Sequence, residues 1–277
     1  MRRFLPGGIG WLALPATLWA LLLFAVPLLL LLVGSLHGPN GWTLSGYTAF
    51  LGSNYSWLII GRTLKLAVLT TLICLVIGYP AAFALARTRG WVQSLLVAAL
   101  LLPLSLSVIV KAFGWTVLLR GNGLVNKLLM ALGITDAPLR LLFTEAGLLI
   151  GITNIFLPFM VLPLFAVVKQ IDGRLTDAAA TLGGTPFYNF TRVTLPLTVP
   201  GIVAGGTLVF SMSIAAYVIP NLLVGDTYQT LSTTIATSFL FLQDPQRGSV
   251  AGVVLLVMSL IVVVASVMLG RRARRSP

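Results

Sequence analysis

Six apolar runs, each about as long as a helix that crosses a bilayer, decide what this chain can fold into. They are Trp11–Val33, Thr63–Ala86, Trp91–Leu119, Ala146–Val168, Pro200–Val224 and Ser249–Leu269. A hydrocarbon core about 30 Å thick takes about 20 helical residues. A helix is the economical spanning form because it satisfies its own backbone hydrogen bonds. The runs are apolar all round and lack the ten-residue alternation of a membrane barrel. Only 9% of the chain is charged and 58% is hydrophobic, whereas soluble domains carry about 25% charged residues. Lipid is therefore the natural solvent, and the expected fold is all-α, a polytopic membrane protein of six transmembrane helices.

The basic residues orient it. With the N-terminus in the cytoplasm, the inner segments hold Arg2, Arg3, Arg87, Arg89, Lys169, Arg174, Arg192, Arg271, Arg272, Arg274 and Arg275. The outer segments hold Arg120, Lys127, Arg140 and Arg247, with Arg62 and Lys65 at a boundary. Four of the six acids, Asp136, Glu145, Asp226 and Asp244, also fall outside. The positive-inside rule then puts both termini in the cytoplasm. The net charge of +12 serves topology and lipid headgroups, so no nucleic-acid partner is expected. Trp11–Val33 is longer than a signal-peptide core and reads as a retained span. The whole of 1–277 is expected to form one transmembrane domain. The outer gaps Gly34–Arg62, Arg120–Glu145 and Asp226–Gly248 are long. Leu124–Leu132 and Leu231–Leu242 within them are too short to span and suit an interfacial or capping position.

Pro15, Pro27, Pro80, Pro103, Pro158, Pro163 and Pro220 punctuate the spans and favour kinks. Gly147 and Gly151, Gly201 and Gly205, and Gly248 and Gly252 have the small-xxx-small spacing that permits close helix contact. Cys74 lies in an apolar run and reads as a small buried hydrophobe. With one Cys and one His, His37, no metal cluster is proposed. The chain contains no P-loop, Gly-x-Ser-x-Gly or His-Glu-x-x-His pattern. It is not expected to be an enzyme or to hold a cofactor.

The segment between spans four and five carries the most information. Asp172 can cap a short helix whose Leu175, Ala178, Ala179 and Leu182 form one apolar face at i, i+3, i+4 and i+7. Gly183 and Gly184 stand where a left-handed C-cap belongs. Thr185-Pro186 is a cap-then-N1 start for a second helix. Leu195-Pro196 is expected to end it, and Pro200 to open the next span. Two uses fit such an elbow: docking in a groove of another protein, or packing on its own bundle.

The spacing here resembles the signature of permease subunits of bacterial ATP-binding-cassette importers. That signature has an acid, two alanines, a glycine after three more residues, and an aliphatic-x-Leu-Pro after nine more. Asp177, Ala178, Ala179, Gly183, Val193, Leu195 and Pro196 meet every spacing, with Asp177 where Glu is usual. Gly78-Tyr79-Pro80, Arg120–Asn126 and Val218–Leu223 are similar to the spermidine/putrescine class, in particular to the first of its paired membrane subunits. The resemblance implies the type I importer permease architecture in a bacterial inner membrane. It implies that 169–199 couples to the ATPase, with ATP bound by that separate subunit. It also implies a homologous second permease subunit in a heterodimer, two ATPase copies and a periplasmic solute-binding protein.

The solute is left more open. The polyamine class usually has acids in span five where this chain has Ala216 and Asn221. No acid lies deep in any span, yet a dication crossing a low-dielectric path needs negative or carbonyl partners. Lys111 is the one charge well inside a span, four residues from Trp115. Lys111, Trp115, Asn154, Tyr217 and Asn221 are the expected pathway residues. Lys111 either lines the path and favours a carboxylate- or phosphonate-bearing solute, or snorkels outward. The polar residues serve equally as interhelical glue. Polyamine, amino acid, organic anion and phosphonate all stand as solutes. A secondary transporter is the alternative, although neither an internal repeat nor a coupling acid is visible.

Overall fold

The computed structural model describes residues 10–38, 41–172, 174–175, 179, 181 and 183–273. It is helical almost throughout. Five helices are long and apolar enough to span, and six spans result when one bent pair is counted as a span. They are α1 (Gly10–Leu36), α3 (Asn54–Arg87), the pair α4 (Gly90–Leu101) and α5 (Val108–Leu118), α7 (Glu145–Val168), α8 (Pro186–Ile214) and α11 (Pro245–Ala273). Between them lie α2 (Ser45–Gly52), α6 (Leu124–Ala131), α9 (Val218–Leu223) and α10 (Leu231–Leu240). A two-residue antiparallel ladder, β1 (His37–Gly38) with β2 (Gly41–Trp42), follows α1.

The chain forms two compact units, Met1–Ser56 with Thr234–Val254, and Trp57–Thr233 with Leu255–Pro277. In the first, Tyr47 donates to Ser35 Oγ at 2.7 Å and ties α2 to the end of α1. In the second, the core holds Leu66, Leu119, Leu148, Ile152, Met160, Leu164, Ile219 and Leu223. Its main seam is α7 against α8. A methyl added to Gly201 would lie 3.2 Å from Leu164 Cα, and one on Gly205 would lie 3.0 Å from the Met160 carbonyl. The Gly201/Gly205 pair is thus a true close-contact face, the main way membrane helices associate without a hydrophobic driving force. Gly78 on α3 does likewise against Met160.

Three expected boundaries are corrected. Span three is not one helix: Leu102–Ser105 tightens into a 3₁₀ turn, Leu106 is extended, and the two halves bend by 99°. Ser107 caps the second half by accepting from Ile109 N–H. The apolar run hid the break because Pro103 and two serines interrupt the backbone ladder and not the hydropathy. Span five begins fourteen residues early and ends ten residues early. Its helix runs through Leu195-Pro196 and Pro200 from Pro186 to Ile214. The ladder widens into a π turn at Phe190–Thr194 just ahead of Pro196, which gives the ring room beside the preceding carbonyls. The chain breaks after Ile214, so Pro220 falls in the first turn of α9, where a missing N–H costs nothing. Span two begins at Asn54 rather than Thr63, and its 34 residues reach about 50 Å, well beyond the hydrocarbon. Pro15, Pro27, Pro80, Pro158 and Pro163 stay inside unbroken helices.

A polar staple holds the loop after α5. Asn126 is fully buried. Its amide donates to the Arg120 carbonyl at 3.0 Å and the Leu139 carbonyl at 2.9 Å, and accepts from Leu139 N–H at 2.8 Å. Asn126→Ala leaves three buried backbone groups unpaired. It is expected to lower stability by about 2–3 kcal/mol, read as a reduced thermal midpoint of the purified protein in detergent.

Candidate functional site

The elbow between α7 and α8 is the first candidate. Asp177 and Ala178 of its expected signature, with Gly173 and Leu182, lie outside the described residues, as do Arg2, Arg3, Arg274 and Arg275. Around them the local chemistry is clear. Asp172 Oδ1 accepts from Arg174 N–H at 3.0 Å, an Asx cap. Arg174, Leu175, Ala179 and Thr181 are helical. Gly183 then takes φ +84°, and Gly184 N–H donates to the Ala179 carbonyl at 3.0 Å, the long bond of a Schellman stop. Thr185 Oγ1 accepts from Tyr188 N–H at 3.2 Å and Pro186 follows at N1. Val193 lies in the π turn, and Leu195 and Pro196 lie inside α8. The elbow is therefore the foot of a 29-residue helix, not a free loop before one.

Two side chains missed at the sequence level stand out. Phe187 and Tyr188 are 76% and 55% exposed, and Leu175 is exposed beside them in the segment. The only signal for them was their apolar character in a cytoplasm-facing stretch. An elbow that packed on its own bundle would cover its aromatics, and this one leaves them open. Behind it, α8 is strapped to α3 by Tyr79 Oη and Thr198 Oγ1 at 2.9 Å. Tyr79 also meets the edge of Phe190, with ring centres 5.9 Å apart. A cavity of about 450 Å³, lined by Tyr79, Phe83, Arg87, Asn189 and Phe190 among others, opens between these two helices.

The expected pathway residues occupy α5, α7 and α9. Trp115 Nε1 donates to Asn154 Oδ1 at 3.2 Å, joining α5 to α7. Asn154 and Asn221 are exposed, and Lys111, Trp115 and Tyr217 are half-buried. The structure joins Trp115 to Asn154 directly, and it gives no side-chain bond from Lys111, Tyr217 or Asn221 to that pair among the described residues. A separate charged cluster stands at the Glu145 end of α7. Lys65 Nζ lies 2.7 Å from Glu145 Oε1, and the Arg62 guanidinium sits 5.0 Å over the Tyr228 ring. Burial, with the Glu145 charge, pushes the Tyr228 hydroxyl up to about 12 against the opposing pull of Arg62.

Among the described residues no group of His, Cys, Asp and Glu is placed to hold a metal. No family model matches the chain. It is 33% identical over 247 residues to the spermidine/putrescine transport system permease protein PotB of Haemophilus influenzae, covering 87% of this chain and 86% of that protein. To the Escherichia coli PotB it is 34% identical over 224 residues, 80% of this chain and 81% of that one. To the molybdenum transport system permease protein ModB of Mycobacterium bovis it is 31% identical over 271 residues, 95% and 94% of the two chains. The fold matches a chain in the crystal structure of a bacterial ABC transporter involved in the import of the acidic polysaccharide alginate. The TM-score is 0.79, with 20% identity and 95% of each chain covered. A second structure of an alginate ABC transporter, in complex with an alginate pentasaccharide-bound periplasmic protein, matches with the same TM-score, at 21% identity over 97% of this chain and 95% of that one.

Proposed function

The chain belongs to the family of ATP-binding-cassette importer permeases that includes the spermidine/putrescine permease proteins, and we propose that it forms half of the translocation path of such an importer for a small polar solute. Its elbow, centred on Asp177, Ala178, Ala179, Gly183, Val193, Leu195 and Pro196, docks on a cytoplasmic ATPase. That ATPase binds and hydrolyses ATP, and the chain itself needs no cofactor. A homologous second permease completes the path as a heterodimer, two ATPase copies drive it, and a periplasmic binding protein delivers the solute. Both termini face the cytoplasm in a bacterial inner membrane.

One observation carries this reading: an open, aromatic-bearing glycine elbow is the continuous foot of α8, which is locked to α7 through Gly201 and Gly205. A push on Phe187 and Tyr188 travels along a single rigid helix into the bundle, because helices packed at backbone contact move together. Lys111, Trp115, Asn154, Tyr217 and Asn221 line the path. Relatives in the family carry polyamine or molybdenum transport in their names, so the scaffold alone does not choose the solute.

The test is co-purification of the tagged chain with a Walker-motif ATPase, followed by uptake in proteoliposomes with and without internal ATP. Uptake is expected only with ATP and with both permeases present. Uptake driven by a proton or sodium gradient through this chain alone would make it a secondary transporter instead.

A further inference from the structure

We infer that Lys111 sets the charge of the solute, so that the path takes a small molecule carrying an anionic oxygen group, a carboxylate or a phosphonate, in preference to a polyamine. This rests on the importer reading above and deepens it. The first support is depth. A methyl on Gly147 would lie 3.4 Å from Leu119, and one on Gly151 would lie 3.7 Å from Trp115. Leu119 and Trp115 on α5 therefore step four residues at a time, antiparallel, along α7. The next step sets Lys111 level with Ile155, about 15 Å from the Glu145 end of a helix about 36 Å long. Mid-depth is beyond the reach of a lysine stem that snorkels to the surface.

The second support is charge. The chain has six acids, and none can neutralise Lys111. Glu145 is held by Lys65 at the end of α7. Asp244 is the cap that accepts from Arg247 N–H. Asp136 and Asp226 belong to loops outside the spanning helices, and Asp172 and Asp177 to the elbow segment. Lys111 is half-buried, with the exposed Asn154 and its Trp115 partner one turn away. A charge at bilayer depth is retained where it faces an aqueous path or a partner, and is otherwise expensive. A path with a fixed cation and no acid repels a dication and holds an anion; the neighbouring indole and amide supply an apolar wall and hydrogen bonds for the rest of the solute.

The test reads local potential without knowing the natural solute. Asn154→Cys is made in a Cys74→Ser background, in the complete importer. It is labelled with an anionic and a cationic methanethiosulfonate, each corrected for its rate with a free thiol. The anion is expected to react faster by about tenfold, the effect of one nearby charge at intermediate dielectric. Adding Lys111→Met should abolish the preference and Lys111→Arg should keep it. Protection is then measured with putrescine, 4-aminobutyrate and 2-aminoethylphosphonate. Slowing by 4-aminobutyrate marks a carboxylate solute and slowing by the phosphonate marks that class. An unreactive introduced thiol, equal rates for the two reagents, protection by neither anion, or protection by putrescine overturns the inference. Equal rates would place a neutralising acid on the partner permease. Uptake independent of ATP would fail the importer reading and leave this labelling result standing.

Discussion

Replacing Gly183 with proline should leave the protein inserted in the membrane and abolish uptake. Gly183 sits at φ +84°, and the pyrrolidine ring holds φ near −65°. The chain cannot meet both, so the elbow must open. A methyl on the neighbouring Gly184 would collide with Asn189 Oδ1 and the Ala179 carbonyl, so the turn has no slack to share the change. At a cost of about 3 kcal/mol or more, the native elbow is populated about a hundredfold less. Gly183→Ala carries only the left-handed penalty, about 1–2 kcal/mol, and should lose roughly tenfold. The order Gly, Ala, Pro is measured as ATP-dependent uptake and as ATPase retained on the tagged permease, with membrane insertion checked by cysteine accessibility. Normal uptake by the proline variant would refute the docking role.

Gly205→Val should destabilise the bundle itself. The first methyl would sit 2.9 Å from Met160 Sδ, 3.0 Å from the Met160 carbonyl and 3.2 Å from its Cα. Sulfur can swing aside, but the backbone of a buried helix cannot. Overpacking of this kind costs about 1–3 kcal/mol. It should appear as a lower unfolding midpoint in detergent and as loss of the strap between Tyr79 and Thr198. Gly206 is the control one residue along the same helix. A methyl there meets only Thr71 Cγ2, at 3.8 Å. Gly206→Ala should be neutral, or stabilising by about 0.5–1 kcal/mol from the lower chain entropy of alanine. Equal behaviour of the two positions would mean that α7 and α8 do not meet at Gly205.

Much of the elbow was legible beforehand because its signals are local. A left-handed glycine, a threonine cap and a proline at N1 act within one turn, and each appears at its expected residue. The reading failed where prolines had to be judged. Pro196 reads as a terminator, yet α8 absorbs it by widening to a π turn. Pro103 reads as a mere kink, yet the helix there breaks and turns through 99°. Local chemistry is the same in both cases. What differs is the packing on either side, which favours a long helix at the foot of α8. Phe187 and Tyr188 could not be singled out at all, since exposure is a property of the folded surface.

By itself, then, the sequence determined the solvent, the number of spans and their charge bias, because apolar length and basic flanks act on each helix alone. Only the tertiary structure decided which glycines are contacts, where span three breaks, and that Lys111 stands at mid-depth. Those are relations between helices, set by the register of α5 on α7 and of α7 on α8, and no single helix carries them in its own composition.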